Sequence, residues 1–298
     1  MIAIKQNKLV YYKLLKAQRT TYSRAKIIRN FKYSLTLGLI VTAPFVFIYS
    51  PASISTIGII GAAWTLISFL VGYMESWLIR RAATLQEIID TELYEMSWNE
   101  IVYGQKVIPH EYVNGITYKY SEIELETEFK DWYEGIGNIQ KPFSILLCQR
   151  QNIVWDYKLR DVYAYIVLSI LAVNFLVGLS IFAITGETVL NYLLGLLLPS
   201  LSANILGIEE VVGHLRISKR KKELENKMVE LINLATNNFD SLTENVLRDI
   251  QNVIFNERLK SPLIPDFIHN RLKLKYSNSS RASINDIMML NNNYCQPR

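Results

Sequence analysis

Four stretches of the chain carry no charged residue over the length of a long helix: Tyr33 to Ser50, Ile54 to Met74, Val162 to Thr185 and Thr188 to Ile208. At about 1.5 Å per residue each can cross a hydrocarbon core of roughly 30 Å. Buried helices of soluble proteins rarely stay free of charge for so long, so the blocks predict four transmembrane helices. Only Pro51, Ala52 and Ser53 separate the first pair, and only Gly186 and Glu187 the second, so the spans form two hairpins.

The polar remainder is also patterned. From Tyr73 to Tyr103 there is no Gly or Pro, and Leu85, Ile88, Ile89, Leu93 and Met96 recur with a period near 3.6, which predicts a helix continuing the second span. His214 to Lys260 likewise lacks Gly and Pro. Leu224, Met228, Leu231, Ala235, Phe239, Leu242, Val246, Ile250 and Val253 give it one apolar stripe, the mark of a long amphipathic helix ended by Pro262 and Pro265. Lys5 to Lys32 has helical periodicity and a basic face suited to anionic headgroups. Ser121 to Glu134 reads as an acidic helix and Pro109 to Tyr120 as irregular or short extended structure. Phe143 to Cys148 reads as a short strand or a buried helical turn, and the Ser/Asn-rich end from Ser277 as a flexible tail.

The predicted fold class is therefore an all-α integral membrane protein: two transmembrane helical hairpins, a mainly helical cytoplasmic insert and a long C-terminal cytoplasmic helix. The divisions are a basic arm (1–32), hairpin 1 (33–79), the insert (80–160), hairpin 2 (161–212), a C-terminal helical region (213–276) and the tail (277–298).

Charge sets the orientation. Residues 1–32 hold Lys5, Lys8, Lys13, Lys16, Arg19, Arg24, Lys26, Arg29 and Lys32 with no acid. Arg80 and Arg81 follow the second span, Lys158 and Arg160 precede the third, and Arg216 to Lys222 follow the fourth, whereas the opposite turns carry no Lys or Arg. The positive-inside rule puts both termini and the insert in the cytoplasm. The polar leader is too long for a cleaved signal peptide. In a reducing compartment Cys148 and Cys295 are not expected to form a disulfide, and His110, His214 and His269 are too scattered for a zinc site. No cofactor is expected.

Catalytic signatures are missing: there is no Gly-rich phosphate loop, and no histidine is paired with a recognisable nucleophile. The protein is not expected to be an enzyme, and the alternating glutamates of the acidic helix suit a solvated face better than a metal site. The set Trp132, Tyr133, Arg150, Asn152, Trp155 and Arg160 has the chemistry of a nucleotide site. Rings stack on bases, guanidiniums fork onto phosphates, and amides read base edges. On chemistry alone a plainer reading is favoured, with Trp155 and Tyr163 as interfacial anchors and Arg150 and Arg160 as positive-inside charges. Asn174, Pro199, Asn204 and Glu209 are candidate pore or gating residues, because polar groups in spans mark pathways as well as interhelical hydrogen bonds. Pro199 would leave the Gly195 carbonyl without its usual donor and kink the fourth span.

Beyond these patterns, the chain resembles the four-transmembrane effector family found beside cyclic-oligonucleotide synthases in CBASS-type bacterial antiphage operons. The likeness rests on Ala17-Gln18-Arg19 with Tyr22-Ser23-Arg24-Ala25-Lys26, then Leu85-Gln86-Glu87, Trp98-Asn99 and Asp131-Trp132-Tyr133. Its most specific part is Cys148-Gln149-Arg150-Gln151-Asn152 with Trp155-Asp156, Leu159-Arg160 and Tyr163. The resemblance implies a bacterial inner-membrane effector that responds to a cyclic oligonucleotide and permeabilises the membrane, arresting or killing the infected cell. It further implies a homo-oligomer in the lipid bilayer, a functional link to the synthase, and no DNA or RNA partner. The alternatives are a constitutive channel, transporter subunit or membrane scaffold without a nucleotide ligand, and a membrane-bound enzyme.

Overall fold

The computed structural model describes residues 1–49, 54–137, 139–186, 188–189, 198–237, 242–268, 270–272, 282–284 and 286–287. Among them there is no β-strand. The helices are α1 (Ile2–Lys5), α2 (Leu9–Tyr49), α3 (Ile54–Tyr94), α4 (Glu100–Tyr103), α5 (His110–Thr117), α6 (Glu122–Phe129), α7 (Phe143–Thr185), α8 (Leu198–Asn237) and α9 (Glu244–Lys260).

Four of these, α2, α3, α7 and α8, are 40 to 43 residues long, and each joins one apolar block to a polar half without interruption. Helices α2 and α3 pack as one antiparallel pair and α7 and α8 as the other, with α2 also touching α8. In their apolar halves the large side chains face outward, as Ile59, Leu66, Phe69 and Leu70 do on α3 and Ile170, Val173 and Leu176 on α7. Among the described residues one helix segment, Phe143–Ser180, is long and apolar enough to cross a membrane, with mean hydropathy 2.2 in its most apolar window. The turn around Pro51 lies outside the described residues.

The core sits among the polar halves. Leu15 of α2, Leu85, Ile88 and Leu93 of α3, Phe129 of α6, Leu146 of α7, Met228 of α8 and Leu247 of α9 form one buried cluster. The first turns of α2 are part of it. Tyr11, Tyr12, Leu14 and Leu15 are buried, so this stretch is a core helix and not a lipid-facing basic arm. Two other expectations are corrected and one is narrowed to its helical alternative. Residues 110–117 form a helix, because Val113 and Ile116 bury one face despite Gly115. Phe143–Cys148 is the buried first turns of α7. The C-terminal stripe is carried by two helices, α9 starting afresh where the Thr243 hydroxyl caps the Val246 N–H at 3.4 Å. Most of the expected tail lies outside the described residues, but Ile284 is buried in the core.

Helix ends follow local chemistry. Ser121 and Glu124 make a reciprocal capping box at the start of α6. Helix α3 stops at Glu95, which takes a positive φ of 57° while the Met96 N–H reaches back to the Thr91 carbonyl at 3.0 Å.

The deepest polar feature joins α3 to α9. Glu87 and Asp90 of α3 are almost wholly excluded from solvent. Arg248 donates to Glu87 at 2.6 Å and Arg258 to Asp90 at 2.8 Å, while Gln251 bridges both acids at 2.8 and 3.1 Å. Tyr133 donates to Asp90 at 2.5 Å, and Tyr94 and Asn152 both donate to the Tyr133 hydroxyl. Burial pushes the Glu87 carboxyl above its ordinary value, against the opposing pull of Arg258. Breaking one side of such a buried pair strands a charge. Arg248→Ala is accordingly expected to destabilise the protein by about 3–5 kcal/mol, and removal of the α9 cap by Thr243→Ala by about 1 kcal/mol. Thermal denaturation of the detergent-solubilised variants measures both, and equal losses would contradict a dominant role for the buried pair.

Candidate ligand-binding site

A cavity of about 320 Å³ opens inside the polar half of the bundle, at the lower end of the roughly 300–1,000 Å³ typical of small-molecule sites. All four long helices contribute to its wall: Gln18, Arg19, Tyr22 and Lys26 from α2, Gln86 from α3, Gln151, Asn152, Trp155, Asp156 and Arg160 among others from α7, and Lys221 and Leu224 from α8. The rest comes from the end of α6 and its exit loop, residues 128–134, from Ile254, Glu257 and Arg258 of α9, and from residues 261–266.

Trp132 and Trp155 line the cavity and are partly buried. Tyr22 is also partly buried, and desolvation pushes its hydroxyl up to about 12. Arg19, Lys26 and Lys221 are held by acids from other elements, and Arg160 by an acid one turn earlier on its own helix. Arg19 donates to Glu128 at 2.9 Å, and Lys26 donates to Asp266, which also accepts from Ser23 at 2.9 Å. Asp156 receives Arg160 Nε at 2.5 Å, Arg160 Nη2 at 3.1 Å and Lys221 at 2.5 Å. Burial alone would raise the Asp156 carboxyl, but Arg160 and Lys221 outweigh it and hold the group well below the usual carboxylate range. Burial lowers both Lys221 and Lys26, with Asp156 and Asp266 pulling the other way. These ties run from α2 to α6, from α2 to the segment after α9, and from α8 to α7.

Against this saturated background, the buried polar atoms of lining residues without a hydrogen-bond partner include Gln151 Oε1, Glu257 Oε2, Ser261 Oγ and Arg258 Nη1. The last lies 3.8 Å from Glu87 Oε2, an ion-pair contact only.

Five of the six nucleotide-site candidates, Trp132, Tyr133, Asn152, Trp155 and Arg160, come together on this cavity. Their roles differ. Tyr133 and Asn152 are bonded into the Asp90 network, and Arg160 is locked on Asp156 and the Pro262 carbonyl, at 2.8 Å from the latter. Arg150 is not at the cavity. It faces the other side of α7, paired with Glu225 at 2.7 Å and donating to the Ser283 hydroxyl at 3.1 Å. The set of six missed Arg19, Lys26, Gln151, Lys221 and Arg258. The spacing of Arg19, Tyr22 and Lys26 puts them on one helical face and was available as a signal. Arg258 and Lys221 are remote in sequence and carry no local mark.

A hydrogen-bonded chain leads from the cavity toward the apolar halves. Arg160 Nη1 donates to His214 Nδ1 at 3.2 Å, so the other ring nitrogen carries the proton and donates to Glu210 Oε2 at 3.2 Å. Glu210 accepts from the Tyr33 hydroxyl at 2.6 Å. Burial lowers the His214 pKa, which favours this neutral ring. Of the pore or gating candidates, Asn174 donates to Asn204 at 3.3 Å, joining α7 to α8, and Glu209 is exposed. Pro199 stands in the first described turn of α8, and the Gly195 carbonyl that it was expected to release lies outside the described residues. Among the described residues no group of three or more His, Cys, Asp or Glu could hold a metal ion.

Residues 1–287 match the SMODS-associating 4TM effector domain. A relative from Bacillus cereus (strain VD146), named a probable CBASS effector molecule, is 23% identical over 272 residues, covering 89% of this chain and 90% of that protein. No solved structure matches. The family model spans nearly the whole chain and takes in every wall of the cavity, so the protein belongs to the SMODS-associating four-transmembrane effector family.

Proposed function

We propose that this protein is an antiphage effector of the bacterial inner membrane which binds a cyclic oligonucleotide in the cavity among its four long helices and then permeabilises the bilayer. The observation that carries the reading is the position of that cavity. Its wall draws on α2, α3, α7 and α8 together, and each of these runs on into an apolar block. A ligand there touches everything that would have to move. The family name and that of the B. cereus relative support the defence role and the link to a cyclic-oligonucleotide synthase.

The two-hairpin topology with both termini cytoplasmic is part of the proposal. The Lys and Arg clusters lie at the end of the bundle that holds the soluble core, as the positive-inside rule requires. The protein works by binding, without turnover, and as a homo-oligomer in the membrane.

The mechanism is an exchange of anions. A ligand phosphate entering the cavity competes with Glu128, Asp266 and Asp156 for Arg19, Lys26 and Lys221, and the tryptophans stack its bases. Each exchange releases a tie between two elements, so the bound state has a different helix arrangement. The ligand shifts the equilibrium only by its difference in affinity between the two arrangements. The Arg160–His214–Glu210–Tyr33 chain carries the change to the apolar halves.

In a thermal-shift assay of the full-length detergent-solubilised protein, one cyclic di- or trinucleotide at about 100 times its Kd is expected to add ~2.7 kcal/mol of stability, and its linear counterpart far less. No shift across a broad panel, with the protein folded, would remove the nucleotide from the proposal. Trp155→Ala should weaken binding by about 1–3 kcal/mol. Arg150→Ala, which removes a pair away from the cavity, should leave Kd unchanged. The reverse order would place the ligand beside Arg150. Finally, Glu210→Gln is expected to keep ligand affinity while reducing ligand-dependent dye leakage from proteoliposomes. Unchanged leakage would exclude Glu210 from the coupling path.

A further inference from the structure

The segment that follows α9, residues 261–268, crosses the bundle where the polar halves of the long helices give way to their apolar blocks. It meets all four of those helices. Leu263 is buried with Ala25 of α2 and with Leu78 and Ile79 of α3. Ile264 and Ile268 are buried with Leu159 of α7. On α8, a Cβ added at Gly213 would lie 3.5 Å from the Pro262 ring. None of residues 261–268 belongs to the main core around Leu85 and Met228.

Backbone chemistry makes this segment a joint between the two hairpins. Residues 262–265 lie in no regular element, so the carbonyls of Pro262 and Leu263 are not used by a helical ladder. They receive arginines from opposite hairpins instead. The Pro262 carbonyl accepts from Arg160 of α7 at 2.8 Å, and the Leu263 carbonyl accepts from Arg29 of α2. Both arginines are almost wholly buried. Farther along, Asp266 accepts from Ser23 at 2.9 Å and from Lys26, both on α2. Among the described residues the long helices of the two hairpins meet mainly where α2 touches α8, so the segment is a second tie between them.

We propose that residues 261–268 form an autoinhibitory strap, which holds the two hairpins in a closed arrangement until Asp266 lets go of Lys26. This rests on the reading of the protein as a membrane-permeabilising effector and adds the element that restrains it. Ser261, Pro262, Leu263, Ile264 and Asp266 line the cavity, so an anion bound there reaches the strap directly. The tie at Asp266 is the one open to competition, because that side chain is 48% exposed whereas Arg29 and Arg160 are buried. Since the strap lies outside the main core, it can detach while the core stays folded. Its release removes one tie between the hairpins at the base of the apolar blocks.

The test is dye leakage from proteoliposomes of the full-length protein with no nucleotide added. Asp266→Asn keeps the shape of the side chain and removes its charge. It should raise this leakage by about 2- to 5-fold, the factor for loss of one partly exposed ion pair. Ser23→Cys combined with Asp266→Cys, on a Cys295→Ser background with Cys148 buried, should leak in the same way. Joining the two introduced thiols with a short reducible bis-thiosulfonate should return leakage to the wild-type level, and reduction should raise it again. If leakage stays at the wild-type level in both variants, or persists after cross-linking, the strap is overturned. The proposed function then stands without it, provided that cyclic di-AMP, cyclic di-GMP or a cyclic trinucleotide still opens the wild type. Leakage that follows the cross-link, with no response of the wild type to those nucleotides, would keep the strap and overturn the nucleotide trigger. No leakage from any variant or with any nucleotide, with the protein folded, would overturn the strap and the permeabilising role together.

Discussion

Glu87 and Asp90 stand one turn apart on α3 with almost no access to water, and they are tolerable there only because α9 brings Arg248 and Arg258 to them. Two carboxylates in a low-dielectric interior require this compensation, and the requirement fixes where α9 can lie. With α9 placed, Arg258 stands at the cavity wall with one nitrogen unbonded, and Tyr133 holds the exit loop of α6 down through Asp90. The cavity thus borrows its geometry from an ion-pair cluster beside it. The same cluster joins the C-terminal region to a helix formed more than 150 residues earlier.

Much of the architecture was legible because it depends on features that do not need partners. Charge-free blocks, the absence of Gly and Pro, and a 3.6-residue period specify long helices from local sequence, and α2, α3, α7 and α8 follow them. What stayed hidden depended on tertiary company. Residues 110–117 contain a glycine and little internal pattern, and only burial of Val113 and Ile116 against other helices makes them helical. The basic arm looked like a membrane-surface segment because its lysines are conspicuous, whereas Tyr11, Leu14 and Leu15 decide where it packs.

The candidate site divides in the same way. Trp132, Asn152 and Trp155 cluster in sequence and in space, and their chemistry could be read directly. Arg150 shares their stretch but leaves the helix on another face, where Glu225 meets it. A position on a helix is fixed by its phase, and sequence proximity does not reveal which phase faces a cavity. Arg258 and Lys221 reach the cavity from two other helices, and nothing in their local sequence marks them.

The continuity of α7 from Phe143 to Thr185 has a consequence for how such a protein can change over evolutionary time. Where a receptor and its output are joined by a slack tether, either can be exchanged or spaced anew. Here one unbroken rod carries both the cavity wall and an apolar block. Adding a single residue near Arg160 would turn everything beyond it by about 100° and advance it by about 1.5 Å. The face that meets α8 in one half would then no longer match the face that meets it in the other. Length changes are therefore confined to the connections outside the four long helices, and the two halves are inherited as one indivisible part.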